Sequence, residues 1–217
     1  ALRHKGVITM NSSHQPDYSE YTIKWASLDW EKDEAYALRK RVFCDEQSLF
    51  EGDDLDQKDQ TAQLLVALGG YGGWHERVVG TVRIHEESPG LWYGSRLAVD
   101  PSYRAHGNIG STLIKLAVSS AHALGCQSFL ATVQAQNEEL FRRLHWHTLA
   151  KKMVYGRAHV SMEADLTFYP PCHTPFSGFV LRAKQRHEAT ELAPQLTGML
   201  IANPLAGARQ STVLQGV

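Results

Sequence analysis

The sequence has few cysteines, little net charge and no long apolar run, and each shortage excludes a class of protein. It contains three cysteines, which are far apart and form no C-x-x-C pair: Cys44, Cys126 and Cys172. This number and spacing support neither a disulfide framework nor a structural zinc site. No apolar run approaches the roughly 20 residues of a membrane span, and the first thirty residues lack a signal-peptide core. The sequence therefore predicts a reduced, cytoplasmic protein with no membrane partner.

The charge balance argues against nucleic acid as a partner. Lys and Arg number 22 and Asp and Glu 23, so the formal net charge is -1. Binding to nucleic acid needs many basic side chains placed against phosphates. A local basic pocket for a small anionic cofactor remains compatible with this balance. The length of 217 residues suits one well-buried domain with tails.

Composition and periodicity divide the chain into a polar leader (1–20), a folded domain (21–171) and a partly helical tail (172–217). Within the domain, alternating or β-branched runs predict strands, and apolar residues at helical spacing predict helices. The predicted strands are 21–25, 62–68, 78–85, 92–99, 128–133, 148–155 and 159–166. The predicted helices are 30–43, 109–124 and 137–144, with a further stretch at 188–201 in the tail. This order predicts an α/β or α+β sheet protein with one core.

The most informative segment joins a strand ending at Val99 to a helix beginning at Ile109. The loop between them presents backbone N–H groups next to the positive end of the helix dipole. Gly107 and Gly110 allow close approach of the backbone, and Arg104 supplies a fixed charge. The arrangement predicts a pyrophosphate site. The alternative is a simple turn that precedes a core helix.

Residues 21–169 resemble the GNAT (Gcn5-related N-acetyltransferase) superfamily. The likeness rests on Leu97-Ala-Val-Asp-Pro with its arginine/glycine loop, and on Asn137-Glu-Glu-Leu-Phe-Arg-Arg-Leu-His-Trp146, which looks like a later GNAT motif. Upstream, residues 38–47 and the Asp-rich segment 54–59 are similar to a GNAT subset with an arginine/Phe…Glu-Gln segment. The chain resembles in particular a bacterial group of N-acetyltransferases encoded beside nitrilases.

The resemblance implies a mixed, mostly antiparallel central sheet, flanked by helices and splayed at the acyl-CoA site. It implies transfer of an acetyl or other short acyl group from acetyl-CoA, or another acyl-CoA, to a small-molecule amine or, less readily, a protein amine. A homodimer is left open. The strand end would bind the pantetheine arm, and the loop amides would hold the pyrophosphate. The implied cofactor-binding residues are Leu97, Ala98, Val99, Arg104, Ala105, His106, Gly107, Asn108, Ile109, Gly110, Ser111, Asn137 and Phe141.

Two departures from the family pattern bear on this assignment. Counted from Arg104, Gly107 has the family's spacing, but the next glycine, Gly110, comes one residue late. Phe141 stands where many members have a tyrosine thought to protonate the departing thiolate, and a phenyl ring cannot donate a proton. Asn137 matches the family's asparagine, although a plain helix cap explains it equally well.

Acyl transfer to an amine needs a positioned base and a donor for the oxyanion, for which the resemblance implies the amide of Val99. The candidate bases are Glu86, His159 and Glu46. Glu86 closes a strand, where a carboxylate is usually only solvated. Glu46 is more readily explained as a structural carboxylate bonded to backbone or to an arginine. His159 has a suitable side chain, and its alternative is a surface imidazole.

Other polar residues support weaker hypotheses. An acidic loop could bind a cationic acceptor or a metal, but a solvated loop is the simpler interpretation of its three aspartates, Asp54, Asp56 and Asp59. His145 and His147 flank Trp146 and are interpreted as structural. Cys126 follows a helix end and is interpreted as a buried packing residue. No metal site is predicted.

Two other functions compete with N-acyl transfer. Acyl-homoserine-lactone synthases share the fold, are similar at a few positions and would use S-adenosylmethionine as acceptor. Those positions are Arg39, Phe43, Asp54, Asp56, Asp59, Gly80 and Arg83. The second competitor is a domain that binds acyl-CoA or a partner protein without turnover, which would explain Phe141 and the altered loop.

Overall fold

The computed structural model describes residues 17–105 and 108–183 as one sheet with helices on both faces. The strands are β1 (Glu20–Trp25), β2 (Gln63–Tyr71), β3 (Trp74–Ser88), β4 (Leu91–Val99), β5 (Ser128–Gln134), β6 (Trp146–Val154), β7 (Arg157–Ala164) and β8 (Phe179–Arg182). The helices are α1 (Asp29–Lys40), which continues as a π-helical segment (Arg41–Glu46), α2 (Ile109–Ala123) and α3 (Glu138–Arg143). The predicted fold class is confirmed.

The strand order is β6-β7-β5-β4-β3-β2-β1-β8. All neighbouring pairs are antiparallel except β4 and β5, which run parallel. A parallel pair needs a crossover connection, and α2 provides it. The sheet therefore consists of two antiparallel halves that meet at β4 and β5.

Each face of the sheet carries its own apolar cluster. On one face, α2 buries Ile109, Leu113 and Leu116 against the sheet in the larger cluster. On the other, α1 buries Ala35 and Leu38 in a smaller one. Alternate residues of β2 belong to the two clusters, with Leu65 and Ala67 in the larger and Leu64 and Val66 in the smaller, so the helices cover the sheet from opposite sides.

The sheet extends beyond the domain boundary predicted at residue 171. β8 pairs with β1, with Tyr21 opposite Leu181 and Ile23 opposite Phe179. The amide of Trp25 also donates to the carbonyl of Pro175, 2.9 Å away. The boundary at 171 is thus too early, because a four-residue edge strand after a Pro-rich segment gives little periodicity to detect. The helix predicted at 188–201 lies outside the described residues.

Gly178 gives a test of how firmly this edge is attached. Its φ is +59°, and an added Cβ would lie 1.8 Å from the carbonyl oxygen of Ile23. We expect Gly178→Ala to lower the free energy of unfolding by about 2 kcal/mol more than Gly156→Ala. Gly156 is the matched control, because its φ is +70° and nothing lies within 4 Å of its added Cβ. Equal losses of unfolding free energy in the two variants, measured by urea denaturation, would contradict the close attachment of this edge to β1.

No helix among residues 17–105 and 108–183 is long and apolar enough to cross a membrane.

Candidate active site

A gap opens in the sheet where β4 and β5 diverge. The two strands pair from Leu91–Ser128 to Gly94–Ala131, and within the described chain no further pairs follow although both strands continue. A bulge in β4 accompanies the divergence: Arg96 has a φ of +55° and, with Leu97, lies opposite a single β3 residue. A bulge bends its strand and increases the local twist, so β4 turns away from β5. The predicted splay is therefore present.

The N-terminus of α2 lies beside this gap. Asn108 precedes the helix with a φ of +64°, and its carbonyl accepts the amide of Thr112 at 2.8 Å, the first bond of the helix. The amides of Ile109, Gly110 and Ser111 come before that bond and have no acceptor within the helix. An added Cβ at Gly110 would lie 3.7 Å from Val99, so the helix start is next to the end of β4. These amides suit an anion.

Several of the implied cofactor residues contribute only backbone here. Ala98 is buried in the smaller cluster, while Leu97 and Val99 pack on the larger one. Ala105 is exposed in the turn before α2. Two members of the loop, His106 and Gly107, lie outside the described residues. Contacts to a ligand by the strand end would therefore come from its peptide groups.

Arg104 is engaged with protein acceptors. Its two terminal nitrogens each donate to a carboxylate oxygen of Glu46, both at 2.7 Å, and its Nε donates to the carbonyl of Val99 at 3.0 Å. The bond from Arg104 lowers the pKa of Glu46, and the carboxylate in turn raises the pKa of Arg104. A carboxylate with a lowered pKa is a weak base. The structural interpretation of Glu46 as an arginine partner therefore fits its geometry better than catalysis.

The residues that follow Glu46 cross the mouth of the gap. The Gln47 side chain accepts a hydrogen bond from Nε2 of Gln134, the last residue of β5, at 2.9 Å. Its carbonyl accepts from Arg157 at 2.6 Å. Further on, the Phe50 ring lies 4.5 Å from the Arg96 guanidinium. This segment therefore contacts strands on both sides of the gap.

The aspartates of the acidic loop, which the sequence analysis interpreted as solvated, belong to a network of ion pairs. Arg39 is fully buried and binds Asp54 at 2.8 Å and Asp59 at 2.6 Å. The arginines Arg83 and Arg96 complete it by binding Asp56, Asp59 and Asp54. The simpler interpretation of the loop was wrong, because distant arginines on α1, β3 and β4 neutralise it.

Burial and ion pairing shift the pKa values of this network in opposite directions. Burial alone would raise the pKa of Asp59, but the hydrogen bonds from Arg39 and from the amide of Asp56, together with the charges of Arg39 and Arg83, outweigh burial and lower that pKa to about 2. For Arg96, burial and the charge of Arg83 lower the pKa. With three arginines and three aspartates the network is electrically balanced. No group of three or more metal-ligating side chains is found in the described part of the chain.

The structure separates the three candidate bases. Glu86 pairs with Trp92, at the opposite end of β4 from Val99, and accepts the amide of Gly90 at 2.9 Å. Seven residue steps from Trp92 to Val99 span about 23 Å, so Glu86 is far from the end of β4, where Val99 and the start of α2 lie. His159 lies inside β7 and pairs with Gln134 at the gap end of β5. Glu46 is bonded to Arg104, on the β4 side of the gap.

Asn137 and Phe141 also differ from their sequence-based interpretation. Asn137 immediately precedes α3, but its side chain makes no capping hydrogen bond. Phe141 is buried, and its ring packs edge-to-face on Trp146 with centroids 5.1 Å apart. The Phe141 ring therefore belongs to the core.

The remaining predictions concern packing. Cys126 is buried, and burial raises the pKa of its thiol to about 11, so the thiol is inert at neutral pH. His145 stacks on Phe168. His147 lies 3.8 Å from Asp165. Their structural interpretation is consistent with these separate contacts.

Sequence reasoning missed Arg96 and Gln134, and gave Gln47 no role beyond its place in the Glu-Gln segment. No local pattern marks Arg96 or Gln134, because their importance comes from a bulge and from contacts between distant segments.

Comparisons with known proteins agree with this geometry. A model of the Acetyltransferase (GNAT) family matches residues 20–146, which is more than half of the chain. No curated protein sequence matches. Among solved structures, an acyl-CoA N-acyltransferase from Pseudomonas aeruginosa is similar with a TM-score of 0.56 and 18% identity, covering 67% of this chain and 98% of its own.

Two structures of other acyl-transferring enzymes are similar to a comparable degree. BjaI, a CoA-dependent acyl-homoserine lactone synthase with bound SAM and isopentyl-CoA, has a TM-score of 0.56 and 17% identity over 69% of this chain and 86% of its own. FeeM, an N-acyl amino acid synthase from uncultured soil microbes, has a TM-score of 0.54 and 12% identity over 68% of this chain and 91% of its own. At these identities the likeness concerns the fold.

Proposed function

Because the chain belongs to the acetyltransferase (GNAT) family, we propose that it transfers an acetyl or other short acyl group from acyl-CoA to the amine of a small-molecule acceptor. The observation that carries the proposal is the gap between β4 and β5 beside the N-terminus of α2. A thioester carried on a pantetheine arm would lie between β4 and β5 where these two strands no longer pair with each other. The pyrophosphate of CoA would then meet the amides of Ile109, Gly110 and Ser111, which have no acceptor within the helix.

In this proposal the amine attacks the thioester carbonyl, and backbone N–H groups at the end of β4 stabilise the oxyanion. A base removes the amine proton, directly or through a water molecule. Phe141 cannot protonate the thiolate. The CoA thiolate therefore leaves unaided or takes its proton from water or from another group.

His159 is the best-placed of the candidate bases. Its Nδ1 lies 2.9 Å from the carbonyl of Arg157, and a carbonyl can only accept, so Nδ1 carries the proton and Nε2 the lone pair. We expect His159→Gln to lower the rate of acyl transfer by about 100-fold. His147→Gln is the matched control, because this imidazole is exposed. Equal, small effects of both substitutions would exclude His159 as the base.

A calorimetric titration with acetyl-CoA and with CoA tests the proposal directly. We expect micromolar binding of both, followed by release of CoA thiol when a panel of amines is added. Binding without thiol release from any amine would favour a non-catalytic acyl-CoA-binding domain. Absence of heat from a folded sample would contradict the CoA-dependent function.

The ion-pair network favours a second candidate, an acyl-homoserine-lactone-synthase-like enzyme. The charged residues that the sequence shares with such synthases, Arg39, Asp54, Asp56, Asp59 and Arg83, all belong to the network. BjaI, which is similar in fold, has S-adenosylmethionine and an acyl-CoA bound. In that reaction the acyl group is first transferred to the amine of S-adenosylmethionine. Its carboxylate then attacks its own γ-carbon, and the bond from that carbon to the sulfonium sulfur breaks, which releases methylthioadenosine.

The two candidates differ in their products. With S-adenosylmethionine as acceptor, the second candidate requires equal amounts of free CoA and methylthioadenosine, which liquid chromatography resolves. Thiol release from simple amines, with no methylthioadenosine formed, supports the first candidate. The likeness to the group encoded beside nitrilases and the cytoplasmic location stay predictions.

A further inference from the structure

Although β4 and β5 diverge, one dipeptide is linked to the ends of both, directly to β5 and through Arg104 to β4. Glu46 is the last residue of the π-helical segment and binds Arg104, just beyond β4. Gln47 follows and binds Gln134, the last residue of β5. We call Glu46 and Gln47 the brace. π-Helical turns are rare and occur often at functional sites.

On the β4 side, the brace acts through a peptide group that is held from two directions. Arg104, fixed by Glu46, donates from Nε to the carbonyl of Val99 at 3.0 Å. The amide of the next residue, Asp100, donates to the carbonyl of Val79 at 2.9 Å. Because a peptide unit is planar, these two bonds fix its orientation at the end of β4.

On the β5 side, the contact is also double. The Gln47 side chain accepts from Gln134, and the Gln47 carbonyl accepts from Arg157 at the start of β7. β7 pairs with β5 through His159 and Gln134. The brace is therefore tied to two strands of the half-sheet that lies across the gap from β4.

A competing role for Arg104 is to bind the pyrophosphate. Its nitrogens face Glu46 and Val99 instead, and the exposed fractions of the Arg104 and Glu46 side chains are 43% and 38%. The pair is thus accessible, and a phosphate ligand would have to displace a bidentate carboxylate. Bidentate arginine–carboxylate pairs combine strength with a defined geometry.

We propose that the brace sets the width of the acyl-transfer gap, so that Glu46, Gln47 and Arg104 position the thioester and do not bind the pyrophosphate. This inference rests on the proposed function and names residues that act on the same site. Glu46 is thereby a positioning residue that acts through Arg104 and the end of β4.

The test measures the polarisation of bound thioester separately from affinity. Acetyl-CoA labelled with ¹³C at the carbonyl is titrated into the wild type, Glu46→Gln, Gln47→Leu and Gln47→Glu, and both the carbonyl chemical shift and the dissociation constant are recorded. A hydrogen bond to the carbonyl moves its signal downfield, and the movement depends on donor position. Gln47→Glu is the matched control, because it keeps an acceptor oxygen for Gln134.

We expect Glu46→Gln and Gln47→Leu to reduce the downfield shift by about half or more, with dissociation constants within about threefold of the wild type. Gln47→Glu should retain the shift. Tighter CoA binding by Glu46→Gln would overturn the inference, because it would identify Arg104 as a phosphate ligand held back by Glu46. An unchanged shift in both variants would also overturn it. Failure of the wild type to bind acetyl-CoA would overturn the proposed function itself.

Discussion

Gly110→Glu will bind CoA about 1,000-fold more weakly than the wild type, because two like charges at about 4 Å and an effective dielectric of about 20 repel by about 4 kcal/mol. The new carboxylate would stand in the first turn of α2, beside the amides proposed to hold the pyrophosphate. Calorimetric titration with CoA measures the loss. Higher ionic strength should restore part of the affinity, because salt screens the repulsion.

The same substitution should not harm the fold. An added Cβ at Gly110 meets only ordinary van der Waals contact, with Val99 at 3.7 Å. Glutamate has a higher helix propensity than glycine, and a negative charge at a helix N-terminus is favourable. We therefore expect an unchanged or raised melting temperature together with lost binding. Gly110→Gln separates charge from size, and a Gly110→Glu variant that still binds CoA would contradict the pyrophosphate assignment.

Arg39→Met will lower the free energy of unfolding by about 3–5 kcal/mol, because each of two buried carboxylates loses one of its two arginine partners and the network is left with an excess negative charge. Arg39 is fully buried between Asp54 and Asp59, whose side chains are 2% and 9% exposed. Urea denaturation measures the change. The control is Arg104→Met, which breaks an exposed pair and should cost at most about 1 kcal/mol.

A double variant, Arg39→Met with Asp59→Asn, checks the cause. It leaves two arginines, Arg83 and Arg96, with two aspartates, Asp54 and Asp56, so the network is electrically balanced again and much of the stability should return. If the double variant is as unstable as Arg39→Met alone, the loss comes from packing of the long side chain, and the electrostatic explanation fails.

The network also predicts how stability depends on pH. The folded pKa of Asp59 is lowered to about 2, whereas an aspartate in an unfolded chain titrates near 3.9. The stability gained from this shift is complete above the unfolded value and is lost as pH falls towards 2. Unfolding curves between pH 5 and pH 2 should therefore show a steeper decline for the wild type than for Arg39→Met.

The sequence was a good guide wherever periodicity was long and local. α2 begins at Ile109 as predicted and ends one residue early, because its apolar spacing and the glycine that follows are both strong signals. The resemblance to the GNAT superfamily placed the gap and the phosphate loop together. Short or irregular elements, such as β8 and the π-helical segment, gave no periodic pattern and were missed.

The candidate site was predicted less completely than the fold. The loop residues near Gly110 follow from a local motif, but the partners of the acidic loop lie on three separate elements. Arg39 and Asp59 are twenty residues apart, and Arg83 is further still. Likewise, Glu86 looked close to the gap because the sequence does not reveal which end of a strand the site occupies. Pairing across long distances is a property of the folded chain.

The parallel junction of β4 and β5 also bears on how the protein folds. Each half of the sheet is held by antiparallel pairs, most of them between strands that are neighbours or near neighbours in sequence, whereas the junction has four registered pairs and needs the α2 crossover. Contacts that close long loops form slowly. We therefore expect the local hairpins of β2 with β3, β3 with β4 and β6 with β7 to form before the junction, so that the gap in which acyl transfer is proposed to occur assembles after them, as does the long-range pairing of β1 with β8.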